Sequence, residues 1–209
     1  MQNTKITISP EESEALGDTG FFRKKAAITS KIIMIFSELA ESLRPIIADH
    51  PGLFPPGTSL FREKISRGEN YKGLPYIVID FPAMFGKESV FAFRSMLWWG
   101  KHFSFSFHLG GDLWKSRQVH VTEKIAALHN KGFYLCVNKT PWEYHFESDN
   151  YLLLDELQGN KTRGLLQESP FIKIARRLEV AEWQKVIEYG KETFSLVLDI
   201  LPNEIRESA

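Results

Sequence analysis

The chain has 209 residues and carries 26 basic and 26 acidic side chains, which leaves no formal net charge at neutral pH. A chain of this length supplies one hydrophobic core, or two small ones at most. The balanced charge disfavours non-specific nucleic-acid binding, which normally shows as a basic domain. Because Cys136 is the only cysteine, an intramolecular disulfide and a cysteine-based zinc site are excluded.

The first 20 residues are polar and acidic and contain no apolar core of the signal-peptide type. No apolar run approaches the roughly 18 residues that a membrane-spanning helix requires. We therefore expect a cytoplasmic protein with no membrane partner. Residues 1–20 are interpreted as a flexible polar leader, and residues 21–209 as a single domain.

Hydrophobic periodicity divides the rest of the chain into helices and strands. The predicted elements are, in chain order, a helix over residues 22–49, strands over 61–67 and 76–81, a helix over 87–97, a strand over 102–109, a helix over 112–130, strands over 133–137, 142–146, 151–154 and 171–178, and a helix over 180–201. This order predicts an α+β fold, in which an antiparallel or mixed sheet packs against long N- and C-terminal helices.

The strand over residues 102–109 has the clearest pattern. Three phenylalanines and a leucine alternate with two serines and His108, as in a strand with one apolar and one solvated polar face. Pro82 is expected to end the preceding strand. Residues 158–169 are predicted as a polar loop, and residues 171–178 as an edge strand. The Arg176-Arg177 pair lies on this strand, where charges commonly discourage edge pairing.

Several short motifs in the first half of the chain form a recognisable set. They are Arg44-Pro45 near the end of the long helix, then Arg67-Gly68, Tyr71-Lys72 and Leu74-Pro75, an apolar strand, and Trp99-Gly100-Lys101-His102-Phe103. This set resembles the bacterial YktB-like family, a domain of unknown function. The chain departs from that pattern by an insertion over residues 85–98. The resemblance implies a single α+β domain in a bacterial cytoplasm, and it supplies no catalytic residue or cofactor.

A group of basic and aromatic residues is the best candidate for a binding site. Its members are Lys64, Arg67, Tyr71, Lys72, Arg94, Trp98, Trp99, Lys101 and His102. Ligand binding is assigned to six of them, namely Arg67, Tyr71, Lys72, Arg94, Trp99 and His102. If the turn after the first strand meets the segment before His102, cations would lie beside flat rings. Such a site suits a carboxylate or phosphate attached to a planar ligand. In the alternative interpretation, the tryptophans pack in the core and the cations form a solvated rim.

Other chemistries have weaker support. Ser104, Ser106 and His108 with Asp80 offer the residue types of a Ser-His-Asp triad, but no Gly-x-Ser-x-Gly motif is present. His102 and His108 share a strand face but lie about 20 Å apart, so no metal site is predicted. Cys136 lacks a neighbouring cation and is interpreted as a buried residue rather than a catalytic thiolate.

Two classes of function are therefore left open. In the first, the chain is a small-molecule binding protein or an enzyme whose ligand is anionic or aromatic. In the second, exposed Phe and Trp residues form a protein-protein interface or a homodimer surface without catalysis. The sequence indicates no catalytic residue and no cofactor, so it does not decide whether the chain is an enzyme.

Overall fold

The computed structural model describes residues 6–202. Residues 1–5 of the predicted leader and residues 203–209 lie outside the described part. The helices are α1 (Pro10–Gly17), α2 (Thr19–Ala48), α3 (Asp112–Lys124), α4 (Gly159–Glu168) and α5 (Val186–Leu198), with 3-10 turns at Ile125–Leu128, Leu154–Glu156 and Val180–Lys185. The strands are β1 (Lys64–Tyr71), β2 (Leu74–Phe85), β3 (Ser89–Trp98), β4 (His102–Gly111), β5 (Tyr134–Cys136), β6 (Tyr151–Leu153) and β7 (Phe171–Glu179).

All seven strands belong to one antiparallel sheet, in the order β1-β2-β3-β4-β7-β5-β6. The first four strands are consecutive hairpins, and β7 returns to pair with β4. The predicted α+β fold, with a sheet packed against helices, is confirmed. Within residues 6–202, no helix combines the length and the apolar character needed to cross a membrane.

One face of the sheet, which we call the helix face, is covered by α2, α3 and α5. Phe103, Phe105 and Phe107 of β4 point to this face and join the main hydrophobic core. The helices approach each other closely at Gly190 of α5. A Cβ atom there would lie 2.7 Å from the Leu39 side chain of α2 and 2.9 Å from the Phe105 ring.

The opposite face of the sheet, which we call the strap face, is covered by residues 137–150, the strap. Ser104, Ser106 and His108 lie on this face and are buried, with at most 8% of each residue exposed. The prediction that this face of β4 is solvated is therefore wrong. The strap excludes water from these side chains, and the sequence of β4 alone contains no sign of that cover.

Three of the predicted elements are wrong in kind. Residues 89–98 form strand β3 and not the predicted helix. Side chains on both faces of β3 are buried, so its sequence is an apolar run that also fits helical spacing. Residues 142–146 belong to the strap and form no strand, and residues 159–168 form α4 instead of a loop. β7 is an interior strand between β4 and β5, not an edge strand.

Two boundaries also differ from the prediction. β2 continues through Pro82 to Phe85, since the pairing register between β2 and β3 shifts between Asp80 and Ala83 and accommodates the proline. β1 begins at Lys64 and extends to Tyr71, so the hairpin turn falls at Lys72 and Gly73. Both residues have positive φ values, of 50° and 82°, as a tight turn between antiparallel strands requires.

Candidate functional site

An open groove lies on the helix face, where α2 crosses the ends of β3 and β4. Its volume is about 370 Å³. It is lined by Ile28, Lys31, Ile32 and Ile35 of α2, Leu97 and Phe103 of the sheet, Trp99 and Gly100 of the β3-β4 turn, and Val180 and Trp183 after β7. The lining is therefore almost entirely apolar and aromatic.

The strand register explains why these distant segments meet. Phe103 of β4 pairs with Leu97 of β3 on one side and with Leu178 of β7 on the other. The β3-β4 turn and the end of β7 thus lie at the same end of the sheet. The 3-10 turn Val180–Lys185 begins at this end, and it brings Trp183 to the groove opposite α2.

The two tryptophans of the groove have unused hydrogen-bonding capacity. The indole N–H groups of Trp98 and Trp114 donate to backbone carbonyls elsewhere in the fold. Those of Trp99 and Trp183 have no acceptor among residues 6–202, and 49% of Trp183 is exposed. A flat ligand can therefore contact an indole ring and accept a hydrogen bond from the same side chain.

Lys31 supplies the only cationic side chain of the groove lining. It lies at the exposed side of α2 and takes part in none of the ion pairs formed within the described chain. An ammonium group beside an apolar concavity can bind the charged end of an amphipathic anion. The groove thus combines an apolar, aromatic lining with one positive charge that has no ion-pair partner in the described chain.

Of the six residues predicted from the sequence, Trp99 is the one that lines this groove. Arg67 is exposed on the edge strand β1, where it pairs with Ile77 of β2. Lys72 is exposed in the β1-β2 turn. The β1-β2 turn therefore does not bring Arg67 or Lys72 to the groove that Trp99 lines.

Arg94 lies on the strap face in a closed polar cluster. Its Nε atom is 2.6 Å from Asp80 Oδ1, and its Nη2 atom is 2.9 Å from Asp80 Oδ2. Its Nη1 atom donates to the Tyr144 hydroxyl in the strap. The guanidinium therefore has protein acceptors on both of its edges, and it joins the sheet to the strap.

Tyr71 holds the strap from the end of β1. Its hydroxyl oxygen accepts the backbone N–H groups of Tyr144 at 2.7 Å and His145 at 3.2 Å. The same hydroxyl donates to Glu143 Oε2 at 2.8 Å. Burial raises the pKa of Tyr71, and the adjacent Glu143 carboxylate raises it further. The phenol consequently stays protonated at neutral pH and serves as a hydrogen-bonding anchor.

His102 is buried between aromatic rings of the sheet and the strap. Its ring packs edge-on against Trp98, with centroids 5.6 Å apart, and against Phe146, with centroids 4.9 Å apart. Burial lowers the pKa of His102 to about 4, and the Arg177 charge contributes to the shift. The imidazole is therefore neutral at physiological pH. Ligand binding by Tyr71, Arg94 and His102 stays a prediction.

Lys173 of β7 belongs to the same cluster and was not predicted from the sequence. Its Nζ atom donates to the backbone carbonyls of Pro141 at 2.6 Å and Glu143 at 2.7 Å. It also lies 4.5 Å from the centroid of the Tyr144 ring. Burial lowers the pKa of Lys173 to about 7, and the Arg94 charge acts in the same direction. The one available signal was a lysine between Ile172 and Ile174.

The strap leaves little space above this cluster. A cavity of about 10 Å³ lies among the strap, β3, β4 and β7. This volume holds at most about one water molecule, so a larger ligand does not fit beneath the strap. The cluster therefore fastens the strap to the sheet, whereas the groove on the helix face has room for a small ligand.

The other chemistries considered from the sequence find no support in the geometry. Asp80 binds Arg94, and neither Ser104 nor Ser106 forms a hydrogen bond with His108 in the described part of the chain. Burial raises the pKa of the Cys136 thiol, which disfavours a thiolate. Over residues 6–202, no three His, Cys, Asp or Glu side chains are grouped as a metal site would require.

Comparisons of the chain with protein-family models, curated proteins and solved structures find no match. The resemblance to the YktB-like family therefore stays a prediction.

Proposed function

We propose that this chain binds a small, flat and largely apolar ligand that carries an anionic group, and that the groove is its binding site. The observation that supports this proposal is the groove itself, an apolar concavity of about 370 Å³ with Trp99 and Trp183 in its walls. Ligand pockets in proteins typically have volumes of about 300–1,000 Å³ and a mostly apolar and aromatic lining.

The proposed ligand has two parts, which contact different residues of the groove. The flat apolar part would lie against the indole rings and the aliphatic side chains of α2. The anionic group would lie near Lys31, where an indole N–H can also donate to it. Lysine acts as a point charge without the paired donors of arginine, so a carboxylate, sulfonate or phosphate would each be accepted.

Two fluorescent dyes test this division directly. The first, 1-anilinonaphthalene-8-sulfonate, is flat and anionic, and the second, N-phenyl-1-naphthylamine, is a similar neutral molecule. We expect both dyes to gain fluorescence with the protein and to quench tryptophan emission. Trp99→Ala or Trp183→Ala should weaken the binding of both dyes at least about fivefold, since an aromatic contact contributes about 1 kcal/mol beyond its buried area. Lys31→Gln should lower the affinity for the sulfonate dye about threefold and leave the affinity for the neutral dye unchanged.

Matched variants control for unspecific effects. Trp142→Ala removes an equally exposed tryptophan from the strap, and Lys101→Gln removes a cation of the β3-β4 turn that does not line the groove. Neither should change the affinity for either dye. Equal affinities of wild-type protein, Trp99→Ala and Trp183→Ala for both dyes would contradict the proposal. Thermal unfolding of each variant verifies that the fold is retained.

A further inference from the structure

The N-terminal part of the described chain folds without joining the core. We call residues 6–25, which comprise α1 and the first turns of α2, the hook. A capping box between Ser9 and Glu12 begins α1, and the Asp18 side chain caps α2 by accepting the Phe21 N–H at 2.8 Å. No residue of α1 is buried. Side-chain caps thus begin both helices of the hook while its apolar surfaces stay uncovered.

The hook exposes five large apolar side chains within about 20 residues. They are Ile6, Ile8, Leu16, Phe21 and Phe22, each of which is at least half exposed. Several of them line an open concavity between α1 and the start of α2. Isolated exposed apolar residues are ordinary, but a contiguous cluster of this kind marks an interaction surface.

The charges of the hook are segregated along the chain. Helix α1 carries Glu11, Glu12 and Glu14, whereas the first turns of α2 carry Arg23, Lys24 and Lys25. Lys25 pairs with Glu69 of β1. Glu14, Arg23 and Lys24 take part in no ion pair among the described residues. The acidic helix α1 is therefore followed directly by the basic first turns of α2.

We propose that the hook is the interface of a homodimer, in which α1 of each copy faces the basic turns of α2 in the other copy. A two-fold axis brings the same patch of both copies together, so the patch must complement itself. Adjacent acidic and basic helices around an apolar centre of Phe21 and Phe22 meet this requirement. A lipid surface is a poorer occupant, because interfacial helices are rich in Lys and Arg whereas α1 is acidic.

This inference goes beyond ligand binding and uses none of the residues that line the groove. Its first test is the mass in solution by sedimentation velocity, which should be twice the 24.1 kDa of one chain. Two charge variants should each be monomeric through like-charge repulsion. Glu11→Lys/Glu14→Lys changes the charge of α1 from −3 to +1 and keeps the Ser9–Glu12 capping box. Arg23→Glu/Lys24→Glu changes the charge of the first turns of α2 from +3 to −1.

Recombining the variants distinguishes pairing from misfolding. An equimolar mixture of the two should form a heterodimer, and all four substitutions in one chain should restore the homodimer. Phe22→Ser should be monomeric and should still bind both dyes in the groove. A monomeric wild-type protein overturns the inference, and so does a dimer that persists in both charge variants. Binding of the wild-type monomer to anionic vesicles would assign the hook to a lipid surface instead.

Discussion

Asp80 of β2 and Arg94 of β3 form a two-hydrogen-bond ion pair between neighbouring strands, beneath the strap. The side chain of Asp80 is 3% exposed and that of Arg94 is 17% exposed. Burial alone would lower the pKa of Arg94, but the Asp80 carboxylate more than compensates and raises it. Since Arg94 also binds the Tyr144 hydroxyl, this pair connects the sheet to the strap.

We expect Arg94→Leu to reduce the free energy of unfolding by about 3–5 kcal/mol, because it leaves the Asp80 charge buried without a partner. The free energy of unfolding should fall much less in the double variant Asp80→Leu/Arg94→Leu, since it removes both charges together. Urea denaturation measures both values. Lys115→Ala breaks an exposed pair with Asp112 and serves as the control, with little expected change. An equally small effect of Arg94→Leu would contradict this account.

Lys173 should make the stability of the fold depend on pH. Its pKa is about 7 in the folded chain and near the ordinary value of 10.5 in the unfolded chain. Between these values the unfolded chain binds more protons than the folded one, so stability rises with pH across that window. The expected slope is about 1 kcal/mol per pH unit. Urea denaturation at pH 7, 8 and 9 measures this slope.

The Lys173→Met variant isolates that contribution. It should unfold with nearly the same free energy from pH 7 to pH 9, because the titrating amine is gone. Lys101→Met removes an exposed ammonium group and should leave the wild-type slope intact. If Lys173→Met kept the slope of the wild-type protein, the pH dependence would have to come from another group.

Gly190 and Gly164 lie in helices but should respond oppositely to alanine. At Gly190 the added methyl group would clash with Leu39 and Phe105, so we expect a loss of about 1–3 kcal/mol. At Gly164 no atom lies within 4 Å of the new Cβ, so the better helix propensity of alanine should add about 1 kcal/mol. Thermal unfolding compares the two variants, and equal melting temperatures would contradict the close approach of α5 to α2.

Arg117 of α3 is buried, and no carboxylate among residues 6–202 pairs with it. One of its nitrogens donates to the Leu53 carbonyl at 3.1 Å, and Nη1 has no partner. Burial lowers the pKa of this guanidinium. We expect Arg117→Met to unfold at the same or a higher temperature, with a gain of up to about 1 kcal/mol. Arg117→Ala should reduce the free energy of unfolding by about 2–4 kcal/mol, because it creates a cavity. Comparing the two variants separates the contribution of packing from that of the charge.

The elements that were predicted well have a periodic contrast between polar and apolar residues. In β4 the alternation of phenylalanine with serine and histidine marks the strand regardless of what covers each face. In α2 (Thr19–Ala48) the apolar stripe that packs in the core runs from Ile32 to Ile47. β3 was misread because both of its faces are buried, which removes the contrast between neighbouring positions.

The candidate site was predicted only in part. Trp99 was identified through its aromatic and basic neighbours, and it does line the groove. Lys31 and Trp183 lie far from it in the sequence and were not connected with it. The position of the strap could not be predicted either, because Lys173 binds the Pro141 and Glu143 carbonyls, which lie about 30 residues away in the sequence.

Local patterns therefore specify the α+β class, the long first helix and the two-faced strand β4, because hydrophobic periodicity depends on residues a few positions apart. The strand register and the path of the strap decide the rest. Register brings the β3-β4 turn to the end of β7 and so creates the groove. The strap converts a polar strand face into a buried cluster. Both depend on contacts between segments distant in sequence, whose energies no short stretch of the chain contains.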